Sequence, residues 1–155
     1  MEMISNEEKI TQAVPVSVDT GDYDAEASLA ELKELVKSAG AEPVFTVTQN
    51  LKRPETGTYV GTGKLQEIAD ICKQQEIDLL VFDCELSPTQ IRNIEAETDT
   101  RTIDRTMLIL DIFALRARSK EGKLQVELAQ LKYLMPRLTG KGVAMSRLGG
   151  GIGTR

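Results

Sequence analysis

The chain has no histidine and no tryptophan, and its 155 residues include only three tyrosines, three phenylalanines and two cysteines. Without imidazole it lacks the commonest general base, the commonest metal ligand and every serine or cysteine triad that relies on histidine. Cys72 and Cys84 match no Cys-x-x-Cys spacing and stand on different predicted elements, so they read as small buried apolar groups in a reducing compartment. Long apolar runs are missing as well. Nothing approaches the roughly 20 residues that span a bilayer, and Met1–Ile10 has neither the basic start nor the apolar stretch of an export signal. A cytoplasmic protein that works by binding is the expectation.

Hydrophobic residues make up 41% and charged residues 28%, proportions that suit one folded core plus an extension. The net charge of −5 would by itself argue against a polyanionic partner, but the charges are segregated. Residues 101–155 hold eleven Lys and Arg against four Asp and Glu, whereas residues 1–100 hold eight against twenty. From Lys132 onward there are five basic residues and no acidic one. A chain acidic at one end and basic at the other offers the basic end to phosphate, as nucleic-acid binders do.

Along the chain, Val14, Val16 and Val18 alternate as a strand does, with Pro15 placing that strand at a sheet edge or at its own start. Asp24 caps a helix carrying Leu29, Leu32, Leu35 and Val36, and Gly40 stops it. Pro43 to Gln49 is β-rich, Leu51–Thr58 is a loop, and a second helix starts near Gly63 with Leu65, Ile68, Ala69 and Cys72 on one face. Asp78–Asp83 is a buried strand. Ser87-Pro88-Thr89-Gln90 is a helix start with a capping box, Ile91 and Ile94 being its inward face, and Arg101–Asp104 supplies a fourth strand. Thr106–Leu115 is apolar enough for strand or helix, and its length favours helix. The alternation predicts an α/β fold: a small parallel sheet of about four strands with flanking helices, followed by a long helical arm that is half of a coiled coil. The division expected is an α/β domain over residues 1–104 and the arm over 105–155.

In the arm, Leu124, Leu128, Leu131, Met135 and Leu138 fall at alternating spacings of four and three, a heptad seam. A helix from Ser119 to Leu138 would be roughly 30 Å long, with Pro136 kinking or ending it. Each side chain of that seam is worth about 1.5–3 kcal/mol when buried, so the seam needs a partner. The residues after Leu138 are glycine-rich and supply none, so the expectation is a hairpin cut at its tip, whose half-seam can pair with a second copy of the chain.

Gly61-Thr62-Gly63-Lys64 invites a phosphate-loop reading, because N–H groups at a helix start bind anions. The Walker A pattern fails at Thr58, where a glycine is required, and at Leu65, where Ser or Thr is required. The dinucleotide pattern fails at Gln66. Gly61, Gly63 and Lys64 are thus a weak anion-binding candidate beside a structural glycine turn. Among carboxylates, Asp83, Glu85, Asp104 and Asp111 show no spacing that pairs them for acid–base or magnesium chemistry. Asp83 closes a strand, where a cap or a salt bridge to Arg105 is the expected role, and Asp111 is expected to pair with an arginine. The stronger candidate is the glycine-rich tip, where Arg147 and Arg155 flank glycines that allow close backbone approach to another molecule. Lys132, Arg137 and Lys141 are added from charge as phosphate contacts.

Tyr59–Lys64, Asp104–Ala114, Glu121–Leu131, Pro136-Arg137-Leu138 and Gly149–Arg155 together resemble the HflX family of ribosome-associated GTPases. The likeness covers about residues 59–155. It implies an N-terminal α/β domain and a two-helix antiparallel coiled coil ahead of a separate GTPase domain. It also implies a whole protein that binds the large ribosomal subunit, splits ribosomes and uses GTP and Mg²⁺. Arg147, Gly149, Gly150, Gly151, Ile152, Gly153, Thr154 and Arg155 would then be a tip loop reaching ribosomal RNA. No guanine-specificity or magnesium motif stands in these 155 residues, so the resemblance implies no catalytic residue and no cofactor here. Nucleotide binding at Gly61–Lys64 and a purely structural coiled-coil module are the competing readings.

Overall fold

The computed structural model describes residues 9–138. The elements follow in the order β1 (Gln12–Asp19), α1 (Ala25–Ser38), β2 (Glu42–Pro43), β3 (Val47–Asn50), α2 (Thr62–Gln75), β4 (Leu79–Phe82), α3 (Pro88–Thr98), β5 (Arg101–Asp104), α4 (Arg105–Arg116), α5 (Lys120–Leu134) and a 3₁₀ turn at Met135–Arg137. All strand pairs are parallel, in the order β2-β1-β4-β5, with β3 also paired to β1. Parallel pairing needs crossovers, and α1, α2 and α3 supply them. Helix α1 packs with α4 and α2 with α3. Every residue of β4 and β5 is buried, as expected where helices cover both faces of a sheet.

The helix ends follow from local chemistry. Asp24 accepts Ala27 N–H at the start of α1. At its end Gly40 adopts φ +91°, the Gly40 N–H bonds Lys37 O at 2.9 Å and the Ala41 N–H bonds Val36 O at 3.2 Å, the paired bonds of a Schellman stop. Ser87 and Gln90 form the reciprocal capping box of α3, and Ser119 caps α5 through Gly122 N–H.

Two expectations are corrected. Pro15 lies inside the central strand, not at an edge. The carbonyls of Ala13 and Asp19 accept from Val44 and Leu51, so the odd-numbered residues of β1 direct their backbone groups toward β2 and β3. β2 pairs with Gln12 and Ala13, β3 with Val16 to Asp19, and Pro15 faces the break between them. The missing N–H therefore forfeits no ladder bond, and the single β-rich run expected over 43–49 is split in two. Second, α5 stops at Leu134 and closes in a 3₁₀ turn through Pro136, short of Leu138.

The core joins Val14, Val16 and Val18 of β1 to Leu32, Ile68, Leu80, Phe82, Ile94 and Ile103, all 1% exposed or less. Met107, Leu108 and Ile112 of α4 belong to the same cluster. On β5, a sheet edge, the Thr102 N–H is taken by the buried Glu95 carboxylate at 2.8 Å, which denies that edge to another strand.

The candidate nucleic-acid interface and the foot of the arm

Helix α4 begins directly after β5, and Asp104 at the junction is fully buried. Its Oδ1 accepts Met107 N–H at 2.9 Å as the cap of α4; its Oδ2 accepts Leu86 N–H at 2.9 Å and the Tyr133 hydroxyl at 2.6 Å. One carboxylate thus ties together the loop after β4, the start of α4 and helix α5. Arg137 completes the junction. Its Nε donates to Leu86 O at 2.9 Å, one terminal nitrogen donates to Tyr133 O at 3.1 Å, and the guanidinium lies 3.8 Å from the Tyr133 ring centre. Farther along α5, Gln130 donates to Asp111 at 3.2 Å.

Burial raises the Asp104 carboxyl above its usual range, opposed by the Leu86, Tyr133 and Met107 hydrogen bonds and by Arg137. Burial, and next its bond to Asp104, raises the Tyr133 phenol. Near physiological pH the phenol is therefore a donor held in place, not an acid.

Away from this foot, the seam of α5 lies open: Leu124 is 58% exposed, Leu128 54%, Leu131 53% and Met135 63%. Phe113 and Leu115 of α4 are exposed as well. Leu138 is half-buried. Lys132 is exposed on the last turn of α5, whereas Arg137 is folded onto Leu86 and Tyr133. Lys141, Arg147 and Gly149–Arg155 lie outside the described residues.

The Gly61–Lys64 turn is occupied by the protein itself. Gly61 N–H donates to Gln49 Oε1 at 2.9 Å, and a Cβ at Gly61 would meet the Gln49 side chain at 3.2 Å. Lys64 pairs with Glu67 at 3.2 Å. The carboxyl end of β4, where the strand order reverses beside β1 and where open parallel sheets hold ligands, is likewise filled. Asp83 accepts Ser28 Oγ and an Arg105 nitrogen, each at 2.7 Å, and Arg105 reaches Glu31 at 2.6 Å. The expected Asp83–Arg105 bridge is thereby present. Asp111 lies close enough to the buried Arg101 to favour its charge, against the burial that lowers the Arg101 pKa. Glu85 accepts from Thr106 at 3.1 Å.

Comparison with known proteins places this geometry. Two family models match end to end: "GTP-binding GTPase N-terminal" over residues 26–114 and "GTP-binding GTPase Middle Region" over residues 116–155. A GTPase HflX of Alkalihalophilus pseudofirmus is 55% identical over 92% of this chain, and those of Lacrimispora saccharolytica and Escherichia coli are 54% and 49% identical over 99% and 93%. The chain belongs to the HflX GTPase family. It spans 34%, 37% and 34% of the length of those three HflX relatives. Among solved structures, a GTP-binding protein of Sulfolobus solfataricus in complex with GDP matches with a TM-score of 0.61 at 30% identity, over 89% of this chain and 41% of that one. SsGBP, also solved with GDP, matches with a TM-score of 0.64 at 31% identity, over 86% and 39%.

HflX relatives are named for GTP chemistry, so the described residues were tested for a fit. Gly61 and Lys64 are engaged by Gln49 and Glu67, and no cluster of three or more metal-ligating side chains is present among the described residues. With its first N–H taken by Gln49, the Gly61–Lys64 turn does not fit a nucleotide phosphate. No helix among them is long and apolar enough to cross a membrane.

The sequence pattern marks the apolar stripe of α5 but not the junction at Asp104. Asp104 stood out as a carboxylate but not as a junction, and Tyr133 and Gln130 drew no attention. The available signal was an Asp between a strand and a helix start, which is a cap position.

Proposed function

We propose that this chain is the ribosome-facing N-terminal part of a cytoplasmic HflX-type GTPase. The whole protein binds the large ribosomal subunit and splits or rescues ribosomes, with GTP and Mg²⁺ held by a separate GTPase domain. The α/β unit, extended to include α4, is the base, and the arm from Ser119 onward is the reaching element. The observation that carries the reading is α5: it is anchored at its foot by Asp104, Tyr133 and Arg137, yet leaves Leu124, Leu128, Leu131 and Met135 exposed. In this reading those side chains pack against a returning helix, for which relatives about three times as long have room. Arg147 and Gly149–Arg155 then form the tip that meets ribosomal RNA, with Lys132 and Lys141 adding phosphate contacts. Arg137, already committed to Leu86 and Tyr133, serves mainly to hold the foot.

The test uses the whole protein. Arg147→Ala with Arg155→Ala should weaken large-subunit binding and flatten its dependence on salt, while GTP-driven subunit dissociation falls in parallel. Undiminished binding would remove the tip from the interface. The exposed seam also favours a second reading, self-association of the isolated chain. Light scattering of the chain against Leu128→Asp decides it: a monomer in both rejects pairing through the seam.

A further inference from the structure

Helix α5 runs back along α4: Tyr133 meets Asp104 at the start of α4, and Gln130 meets Asp111 farther along it. The turn between the two helices, residues 117–119, therefore lies at the opposite end of the pair from the foot, about 20 Å from Tyr133 along α5. Residues 113–123 hold four cations, Arg116, Arg118, Lys120 and Lys123, against one carboxylate, Glu121. All four are exposed, and none of their side chains forms an ion pair or a hydrogen bond among the described residues. Phe113 stands one helical turn before Arg116 and is 55% exposed, whereas Phe45 is half-buried and Phe82 fully buried.

Helix stability gives no reason for three of these charges. A cation at a helix N-terminus opposes the macrodipole, yet Lys120 and Lys123 hold the first and fourth positions of α5, and Arg118 stands just ahead of its Ser119 cap. Cations without partners around an exposed aromatic ring suit unpaired nucleic acid: the charges follow the phosphates and the ring stacks on a base. The acidic residues 1–100, with eight Lys and Arg against twenty Asp and Glu, repel a polyanion from the rest of the domain and turn this corner toward it. We propose that the α4–α5 corner holds a single-stranded segment of RNA, as a contact separate from the glycine-rich tip. The proposal rests on the RNA-facing reading above and adds orientation to it. One contact lets an arm swivel, whereas a second contact, at the start of α5, fixes the direction of the helix.

The test is fluorescence anisotropy of the 155-residue chain with a labelled oligouridine about 12 nucleotides long, an RNA duplex of the same length, and poly-L-glutamate as competitor. Arg118→Gln, Lys120→Gln and Lys123→Gln together should reduce the salt slope of oligouridine binding by about 2, since each phosphate contact on a single strand contributes about 0.7. That variant should melt no lower than the wild type. Phe113→Ala should bind oligouridine about tenfold more weakly and the duplex unchanged, because a duplex offers no unstacked base. Both effects should persist in a chain that already carries Arg147→Ala and Arg155→Ala. An unchanged salt slope, undiminished oligouridine binding by Phe113→Ala, or competition by poly-L-glutamate equal to that of oligouridine, which marks an acidic protein partner instead, would each overturn the proposal. If the corner variants bind as the wild type does while the tip pair alone binds weakly, the corner is rejected and the tip stands; the reverse result rejects the tip and keeps the corner.

Discussion

Replacing Tyr133 by Phe isolates the bond that holds α5 to the junction of β5 and α4. The ring stays in place to carry Arg137 at 3.8 Å, and only the hydroxyl 2.6 Å from Asp104 is lost. A hydrogen bond to a charged group is worth about 1.5–3 kcal/mol. Tyr133 is only half-buried, and Asp104 keeps the Leu86 and Met107 N–H donors, so the lower end applies, about 1.5 kcal/mol. That energy belongs to the junction and not to the sheet. Native-state hydrogen exchange should therefore register it as roughly tenfold faster exchange of amides in α5, with little change in β1 and β4. Exchange in α5 altered less than about twofold would refute the clamp. A uniform change across all strands would mean that α5 does not open as a unit and that the division of the molecule at its foot is wrong.

Asp104→Asn tests the same junction by pH. Because burial raises the carboxyl above its ordinary 3.8, the folded state holds that proton more tightly than the unfolded chain does. The contribution is complete below 3.8 and is lost as pH rises through the folded value. Urea midpoints of the wild type minus those of the variant should therefore decline from about pH 4 upward; a rising difference rejects it. Gly40→Ala should cost about 1–2 kcal/mol, read in thermal melting, because φ is +91° there; an unchanged melting point would contradict the Schellman stop. Burial raises both the Cys72 and the Cys84 thiols, so the native chain should resist a thiol-labelling reagent at mildly alkaline pH and label only once denatured. Fast native labelling would contradict the burial of Cys72 and the raised pKa of both thiols.

The sheet was legible because its signals are local. LLVF has to be buried on both faces, Ser87–Gln90 carries its own capping chemistry, and Gly40 follows the last apolar turn of α1. Pro15 misled because a proline is judged by the strand that holds it, whereas here its tolerance depends on an interruption in the neighbouring strand, thirty residues away in the chain. The Asp83–Arg105 bridge was foreseeable from a strand-end carboxylate and a nearby cation. The junction at Asp104 was not, since its three donors come from residues 86, 107 and 133 and no periodicity connects them. The anion reading of Gly61–Lys64 likewise turned on Gln49, a polar residue on another element that takes the N–H group a phosphate would need.

Helix α5 carries a second stripe that its apolar spacing does not reveal. Leu124, Leu128, Leu131 and Met135 repeat at four, three and four; so do Val126, Gln130, Tyr133 and Arg137, displaced by two residues. Two residues on an α-helix are about 200° apart, so the stripes occupy nearly opposite faces. The first is exposed, and every member of the second is at least half-buried. Hydrophobic periodicity detects only the apolar stripe, because the docked one works through an amide, a phenol and a guanidinium. A helix docked on one face and apolar on the other has no need of that second apolar face for its own attachment. The apolar face is therefore free to meet something beyond the α/β unit, and the polar face sets the direction in which it points. Loosening the foot at Tyr133 should thus change where the arm points before it changes what the arm can bind.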